Sequence, residues 1–333
     1  MRHSHSAAEP TTRQLLDPVP QEGDNGLFTM SWYPICLSTE VATGQIIGRD
    51  FLDGRVIVMR GQDGTAQVMS AYCPHMGADL SVGDMIGDTV RCAYHHWRYE
   101  RNGACTATAS GDPVPRNARL FTFPTTERFG VVWAFNGHEP LFALPDLPYP
   151  DSELLMRSEI HPETLNLDPW IICCQVPDNQ HHRVVHGMQF TGDPLDDITW
   201  GDYSLLYDMN AVKNGQPLSF TMGSIGTTMF LQHGTMDGRW MGFIAGFAMP
   251  RPGTCQIYFI AMVRACEGDD QENKKFMDRV MEFEMGTLIE DAPIFNSIHF
   301  RPGTPSGSDR ALVLYLDFLR EYPRGHPAAE YIR

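Results

Sequence analysis

Hydrophobic and polar positions follow a single pattern in the first third of the chain. Between residues 32 and 135 the apolar residues form short runs rich in β-forming types, with turn residues between them. The runs 55–60 (RVIVMR) and 66–72 (AQVMSAY) flank the sequence GQDG, which is typical of a hairpin turn, and 129–135 (FGVVWAF) is a further strand candidate. This section is therefore predicted to be all-β.

The pattern changes after a proline-rich stretch at 139–151. This stretch holds four prolines in thirteen residues, which predicts an extended connector at a domain boundary. Strand candidates separated by turn residues then run from 218 to 263, as in an antiparallel meander. A helix is predicted from 272 to about 289, where Phe276, Val280, Phe283 and Thr287 fall at the 4-3-4 spacing of one buried face, and a second begins at 311. The second section is predicted to be α+β, with an antiparallel sheet covered by helices.

Length and composition support two globular domains. The chain has 333 residues, of which 42% are hydrophobic and 20% charged, and about 100–200 residues is usual for one domain. We expect a flexible tail over 1–26, a first domain over 27–140 and a second over 151–333.

Charge and cysteine usage exclude several functional classes. A net charge of -16 disfavours binding to nucleic acid or to anionic membranes. The eight cysteines are scattered, as in cytoplasmic proteins. The polar N-terminus does not resemble a secretory signal, and the apolar stretch 241–249 has about half the length of a membrane span. We therefore expect a cytoplasmic protein without a membrane span.

The first candidate site combines Cys73-Pro-His75 with Cys92-Ala-Tyr-His95, sixteen residues further on. Each segment presents one thiolate and one imidazole. Two thiolates suit one iron of a 2Fe–2S cluster, and two imidazoles suit the other iron. Zinc is a weaker alternative because zinc sites usually pair two cysteines at close spacing, whereas each segment here pairs a cysteine with a histidine.

This arrangement, with Trp97 just beyond it, resembles the Rieske iron–sulfur domain. The segments AYCPHMGADLSVGD and GVVWAFNGHEP resemble the Rieske domains of bacterial ring- and steroid-hydroxylating oxygenases, the 3-ketosteroid 9α-hydroxylase type most of all. One departure is His96, where many members of the family have glycine. The spacing favours His95 as the cluster ligand and leaves His96 as an interface or supporting group.

A second candidate site lies in the segment IICCQVPDNQHHRVVHGMQF. Mononuclear non-haem iron is bound by two histidines and one carboxylate. Asp178-x-x-His181-x4-His186 resembles the motif of the Rieske oxygenase catalytic domain, in which the aspartate bridges to a cluster-binding histidine of a neighbouring subunit. Asn179-x-x-His182-x3-His186 is an alternative register. We favour His181, because only that register places a carboxylate at the bridging position.

The third iron ligand is expected near the end of the predicted long helix. The segment LIEDAPIFNSIHFRPG resembles the family segment in which an acidic pair precedes an aromatic residue and a proline turn. We assign the ligand to Asp291, with Glu290 as the alternative. An acid exposed to solvent at a helix end is the competing interpretation.

The resemblance implies a helix-grip, START-like second domain and a terminal oxygenase α subunit. Its cofactors would be a Rieske 2Fe–2S cluster and mononuclear Fe(II), with dioxygen as co-substrate. Electrons would come from a separate NAD(P)H-dependent reductase, with or without a ferredoxin, because the chain has no glycine-rich fingerprint for NAD or FAD. A cyclic homotrimer is the matching assembly.

The predicted reaction is hydroxylation of an apolar aromatic, alicyclic or steroid-like substrate. Oxidative demethylation and desaturation are alternatives with the same ligands, and an electron-transfer protein with a non-catalytic binding domain is an alternative of another class. Candidate pocket residues are large and apolar, and most of them are expected to be plain core: Met209, Met222, Met229, Met241, Phe220, Phe230, Phe243 and Phe247.

Overall fold

A computed structural model describes residues 16–301 and 303–333. The first part of the chain is built from short antiparallel strands in three small sheets, β10-β11-β2, β3-β4-β5 and β6-β7-β8-β9, as the apolar runs predicted. Their bounds are β1 (Phe28–Thr29), β2 (Trp32–Leu37), β3 (Ile46–Phe51), β4 (Gly54–Arg60), β5 (Ala66–Ser70), β6 (Asp84–Ile86), β7 (Thr89–Arg91), β8 (Arg98–Tyr99), β9 (Cys105–Ala107), β10 (Thr125–Arg128) and β11 (Val131–Phe135).

The predicted hairpin joins β4 to β5. Arg60 pairs with Ala66, and Gly64 turns the chain in the left-handed region at a φ of 81°, which costs a glycine no steric strain. The loops between β5 and β6 and between β7 and β8 leave the sheets as two neighbouring fingers. They carry the two Cys/His segments.

The second part is built on one antiparallel sheet with the order β12-β19-β18-β17-β16-β15-β13, to which β14 adds by pairing with β15. Strands β15 to β19 pair in sequence, which confirms the predicted meander. The bounds are β12 (Leu154–Leu165), β13 (Gln189–Phe190), β14 (Thr199–Gly201), β15 (Ser204–Lys213), β16 (Gln216–Ile225), β17 (Met229–Met236), β18 (Arg239–Ala248), β19 (Cys255–Arg264) and β20 (Arg324–Gly325).

Helices cover one face of this sheet. They are α1 (Pro169–Cys173), α2 (Asn179–Val184), α3 (Asp270–Phe295) and α4 (Arg310–Glu321), whereas α5 (Ala329–Ile332) packs against the first part of the chain. Helix α3 begins with a capping box between Asp269 and Glu272 and continues past Pro293 to Phe295. It therefore extends beyond the predicted range of 272–289 at both ends. Phe276 and Val280 are fully buried in the core of the large sheet, as their spacing predicted. Among the described helices, none has both the length and the apolar composition needed to cross a membrane.

The two ends of the chain join the halves together. Strand β20 pairs with β1, and Ala328 and Ile332 are buried in the core of the first part, although both lie in the range predicted for the second domain. Residues 1–15 of the predicted tail lie outside the described residues. In the part that is described, Val19 is buried against the core of the second half, and the buried Glu22 donates its backbone N–H to Asp168. Within 16–26, Val19 and Glu22 are therefore packed, which the polar composition of the segment did not indicate.

Candidate metal centres and the adjoining cavity

The two fingers of the first part close with the same backbone pattern. The N–H of Cys73 donates to the carbonyl of Ala78, and the N–H of Cys92 donates to the carbonyl of Trp97, each at 2.9 Å. In return, Gly77 donates to the carbonyl of Cys73, and His96 donates to that of Cys92. The repeated pattern places each cysteine at the root of a tight turn.

His96 occupies the position that glycine fills in the other finger. Gly77 has a φ of 75° and His96 a φ of 54°, and a side chain in this left-handed region costs about 1 kcal/mol or more. This explains why glycine suits the position, and it gives His96 a structural cost that the sequence analysis missed.

The sulfur and nitrogen ligands predicted for the cluster lie at different depths. Cys73 and Cys92 are buried, with exposed fractions of 2% and 1%, whereas His75 lies at the surface. The rings of His75 and His95 are 4.5 Å apart between centroids, and Trp97 stacks on His75. Burial raises the pKa of the Cys73 thiol, while the hydroxyl of Tyr99, 3.0 Å from its sulfur, lowers it. Two inner thiols below two outer imidazoles suit a cluster with two sulfur-bound and two nitrogen-bound positions.

The second group of predicted ligands also comes together. His181 Nε2 lies 2.9 Å from His186 Nε2, and Asp291 Oδ1 lies 3.4 Å and 3.5 Å from these two atoms. One potential ligand atom from each of the three residues falls within 4.8 Å of the others. Asp178 caps helix α2 by accepting the backbone N–H of His181 at 3.0 Å, which sets the start of the helix that carries this histidine.

The chemistry of these three groups fits a divalent metal ion. Asp291 Oδ1 is buried and has no hydrogen-bond partner among the described residues. Burial and the nearby Glu290 charge raise the pKa of Asp291 to about 7, and burial followed by the neighbouring His186 lowers the pKa of His181 to about 4. Two neutral imidazoles and one carboxylate, here with an oxygen free to bind, are the ligand set of a non-haem Fe(II) site.

Glu290, the alternative third ligand, has a different set of contacts. Its Oε2 lies 2.7 Å from Nδ1 of His186, on the side of the ring away from Asp291, and it accepts a bond from Lys213 Nζ at 2.9 Å. A carboxylate at the outer nitrogen fixes the orientation and tautomer of a ligating imidazole. Lys213 could not be predicted as part of this site, because no local sequence pattern links it to α3.

His182, the alternative in the other register, is buried but does not join the three-residue group. Its Nδ1 has no hydrogen-bond partner among the described residues, and burial lowers its pKa to about 3, so the ring is neutral. It faces the cavity described next.

A cavity of about 100 Å³, partly open to solvent, adjoins this group. Of the eight apolar residues proposed as lining, Met222, Phe230, Phe243 and Phe247 contact it, and the other four are core residues away from it. The complete lining is Ile172, Gln175, Val176, His182, His186, Met188, Met222, Phe230, Gln232, Phe243, Ala245, Phe247, Ile257, Phe259, Phe283, Glu284, Thr287, Leu288, Asp291 and Phe295.

The family comparison explains the first of these sites. Residues 31–124 match the model of the Rieske 2Fe-2S domain. The chain contains a Rieske domain. All four predicted cluster ligands lie within the matched residues.

Two curated relatives each match less than half of this chain. Cholesterol 7-desaturase nvd of Bombyx mori is 31% identical over 141 residues, which is 41% of this chain and 30% of that protein. The oxygenase component of 3-ketosteroid-9-alpha-monooxygenase of Rhodococcus rhodochrous is 32% identical over 126 residues, 38% of this chain and 33% of that protein. The chain thus spans about a third of the length of these relatives.

A solved structure extends the likeness to the second half of the chain. NdmA of Pseudomonas putida CBB5, determined with caffeine, matches with a TM-score of 0.69 at 18% identity, and the match covers 88% of this chain and 90% of that one. At this identity the match shows the fold, a Rieske domain followed by an antiparallel sheet with helices. Together these findings show a Rieske domain and, over most of the chain, the same fold as NdmA.

Proposed function

We propose that this protein is the terminal oxygenase component of a multicomponent system and hydroxylates an apolar organic substrate. One observation carries the proposal: a chain with a Rieske domain also brings His181, His186 and Asp291 together, and two of them, His186 and Asp291, line an apolar cavity. A protein that only transferred electrons would have no need of a second buried ligand set beside a cavity.

Each residue then has a defined task. Cys73, His75, Cys92 and His95 would hold a 2Fe–2S cluster, and His181, His186 and Asp291 would hold Fe(II). When bound, these groups supply single electrons and the capacity to activate dioxygen. Glu290 holds the His186 ring from its outer nitrogen, and Lys213 holds Glu290.

Asp178 would have two tasks. It caps the helix of His181, and its carboxylate would also accept a hydrogen bond from a cluster-binding histidine of a neighbouring subunit. Burial raises the pKa of Asp178. A hydrogen bond from an imidazole N–H would act in the opposite direction and favour the charged carboxylate.

A head-to-tail homotrimer is the proposed assembly. Large apolar side chains are exposed beside both ligand sets: Val184 (81%) and Ile289 (68%) near the proposed iron site, and Met76 (66%) and Tyr94 (62%) on the two fingers. Two different apolar faces on one chain suit a heterologous contact, which closes into a ring when repeated.

The partners and substrate class follow from the same features. Electrons would come from a separate NAD(P)H-dependent reductase, with or without a ferredoxin, and the acidic chain suits a basic docking patch on that partner. The cavity suits an aromatic, alicyclic or steroid-like substrate, and one relative is named for a 3-ketosteroid. We propose a cytoplasmic location because all eight cysteines are free thiols.

Desaturation and dealkylation are second candidates, because relatives with this Rieske domain are named as a desaturase and as an N-alkylformylase. The metal-binding residues are compatible with all three outcomes. The product distinguishes them: a hydroxylated molecule, an alkene, or a shortened molecule together with an aldehyde.

The test is a substrate screen with the purified protein, a surrogate reductase, NADH and isotopically labelled dioxygen, with products identified by mass spectrometry. We expect labelled hydroxylated products from apolar substrates and none from an Asp291→Ala variant. NADH oxidation through the Rieske domain without any oxygenated, desaturated or dealkylated product across the panel would favour the electron-transfer alternative.

A further inference from the structure

The cavity contains a second polar position that the ligand set does not use. Glu284 on α3 and Gln232 on β17 both line the cavity, and both are buried, with exposed fractions of 6% and 4%. Gln232 Nε2 donates to Glu284 Oε1 at 2.8 Å. The other carboxyl oxygen of Glu284, Oε2, accepts no hydrogen bond from a side chain among the described residues. It is also not one of the fully buried atoms that lack a partner, so it retains some accessible surface.

The walls around this pair are apolar. Met222, Gln232 and Phe243 are direct cross-strand partners in β16, β17 and β18, so the amide stands between a thioether and an aromatic ring. On α3, Phe283 precedes Glu284, and Leu288 lies one turn beyond it. A polar pair in such surroundings is costly unless each group is hydrogen-bonded, by the protein or by a ligand.

These surroundings keep Glu284 uncharged at neutral pH. Burial raises the pKa of Glu284 to about 8, and the charge of Lys213 lowers it only in part, because Lys213 is bound to Glu290. With Gln232 donating to Oε1, a protonated Glu284 presents its O–H from Oε2. A neutral carboxylic acid is a hydrogen-bond donor.

The position of this donor sets the size of the molecule it would contact. Glu284 precedes Asp291 by seven residues on α3, so the two lie on the same face about two turns, roughly 10 Å, apart. The cavity extends between them. A molecule that spans this distance has the size of two or three fused rings.

We propose that Glu284, oriented by Gln232, is a specificity-determining residue that donates a hydrogen bond to a neutral acceptor, such as a ketone oxygen, at the end of the substrate remote from the reacting carbon. This inference deepens the proposed oxygenase function and rests on it. It assigns the substrate as an uncharged molecule with one acceptor. A carboxylate is disfavoured because its charge would be buried between the apolar walls of the cavity.

Binding of four probes with one naphthalene skeleton tests the inference without turnover. They are acetylnaphthalene (neutral acceptor), ethylnaphthalene (no polar group), naphthoate (anion) and naphthylmethylammonium (cation). Dissociation constants are measured by calorimetry with the holoenzyme and with the variants Glu284→Gln, Glu284→Leu and, as control, Glu282→Gln, which changes an exposed acid of the same helix.

We expect the wild-type protein to bind the ketone about five- to tenfold more tightly than the hydrocarbon, as one hydrogen bond provides, and to bind naphthoate most weakly. Glu284→Gln keeps an N–H donor and should keep the ketone preference, whereas Glu284→Leu should abolish it; a purely structural residue would weaken both probes alike. Equal affinities for ketone and hydrocarbon, or tightest binding of the ammonium probe, would overturn the inference.

Infrared spectroscopy provides a second readout that needs no probe. The difference spectrum between wild type and Glu284→Gln at neutral pH should contain the carbonyl band of a protonated carboxyl group, and that between wild type and Glu282→Gln should not. Absence of this band would overturn the inference while leaving the oxygenase proposal intact. A retained ketone preference in a protein without oxygenase activity would reject the oxygenase proposal alone.

Discussion

Replacement of Glu284 by glutamine is expected to change how the stability of the protein depends on pH. The carboxyl has a pKa of about 8 in the folded protein because of burial, against an ordinary value of 4.5. Between these values the folded state holds a proton that the unfolded chain has lost. Stability therefore falls as the pH rises through this window and levels off above about pH 8.

The size of the effect follows from the two pKa values. Their difference, from 4.5 to about 8, corresponds to at most about 5 kcal/mol, at about 1.4 kcal/mol for each pKa unit. Of this, about 3–4 kcal/mol is lost between about pH 5 and about pH 8. The value is an upper limit because water that enters the cavity would stabilise the carboxylate. Glutamine keeps the acceptor for Gln232 and cannot ionise.

Thermal unfolding scans at a fixed rate test this prediction for wild type, Glu284→Gln and the exposed control Glu282→Gln. At roughly 2 °C per kcal/mol for a chain of this size, the melting temperature of Glu284→Gln should gain several degrees on wild type between about pH 5 and about pH 8. The control should follow wild type throughout. Parallel curves for wild type and Glu284→Gln would show that Glu284 is charged in the folded protein, and would refute the reasoning.

Five further substitutions, at Asp178, His181, His182 and His96, test the two ligand sets. Asp178→Asn should keep the cap of α2 and a full iron content while it slows turnover by orders of magnitude. Normal single-turnover oxidation of the reduced variant would contradict the bridging task. Asp178→Ala should in addition lose about 1 kcal/mol of stability, because the cap of α2 is lost. His181→Ala should empty the mononuclear site, whereas His182→Ala should retain its iron, as measured by metal analysis; the opposite result would establish the other register. His96→Gly should stabilise the Rieske half by about 0.5–1 kcal/mol, because it relieves left-handed strain at the position equivalent to Gly77. The unfolding temperature should rise accordingly. An unchanged or lower unfolding temperature would indicate that the imidazole makes a compensating contact.

Features encoded locally were accessible from the sequence. The meander from β16 to β19 follows from apolar runs between turn residues, and helix α3 from the spacing of Phe276, Val280 and Phe283. The Cys/His segments could be identified because each lies within a single tight turn, so that spacing alone nearly fixes the geometry.

Features that depend on long-range packing were not. Glu290 and Lys213 are 77 positions apart, and Gln232 and Glu284 are 52 apart. In the sequence Glu284 resembles any acid on the polar side of a helix, and only the fold shows that it faces a cavity. For the same reason the packing of Val19, in a stretch that resembles a polar tail, could not be anticipated.

The measurement that tests the central claim most directly is the iron content of the purified protein, combined with electron paramagnetic resonance of the reduced cluster. The account predicts three irons per chain, two in the cluster and one at the mononuclear site, and it predicts that Asp291→Ala loses one iron while the cluster signal is unchanged. Two irons per chain in the wild-type protein, or a full complement in Asp291→Ala, would contradict it.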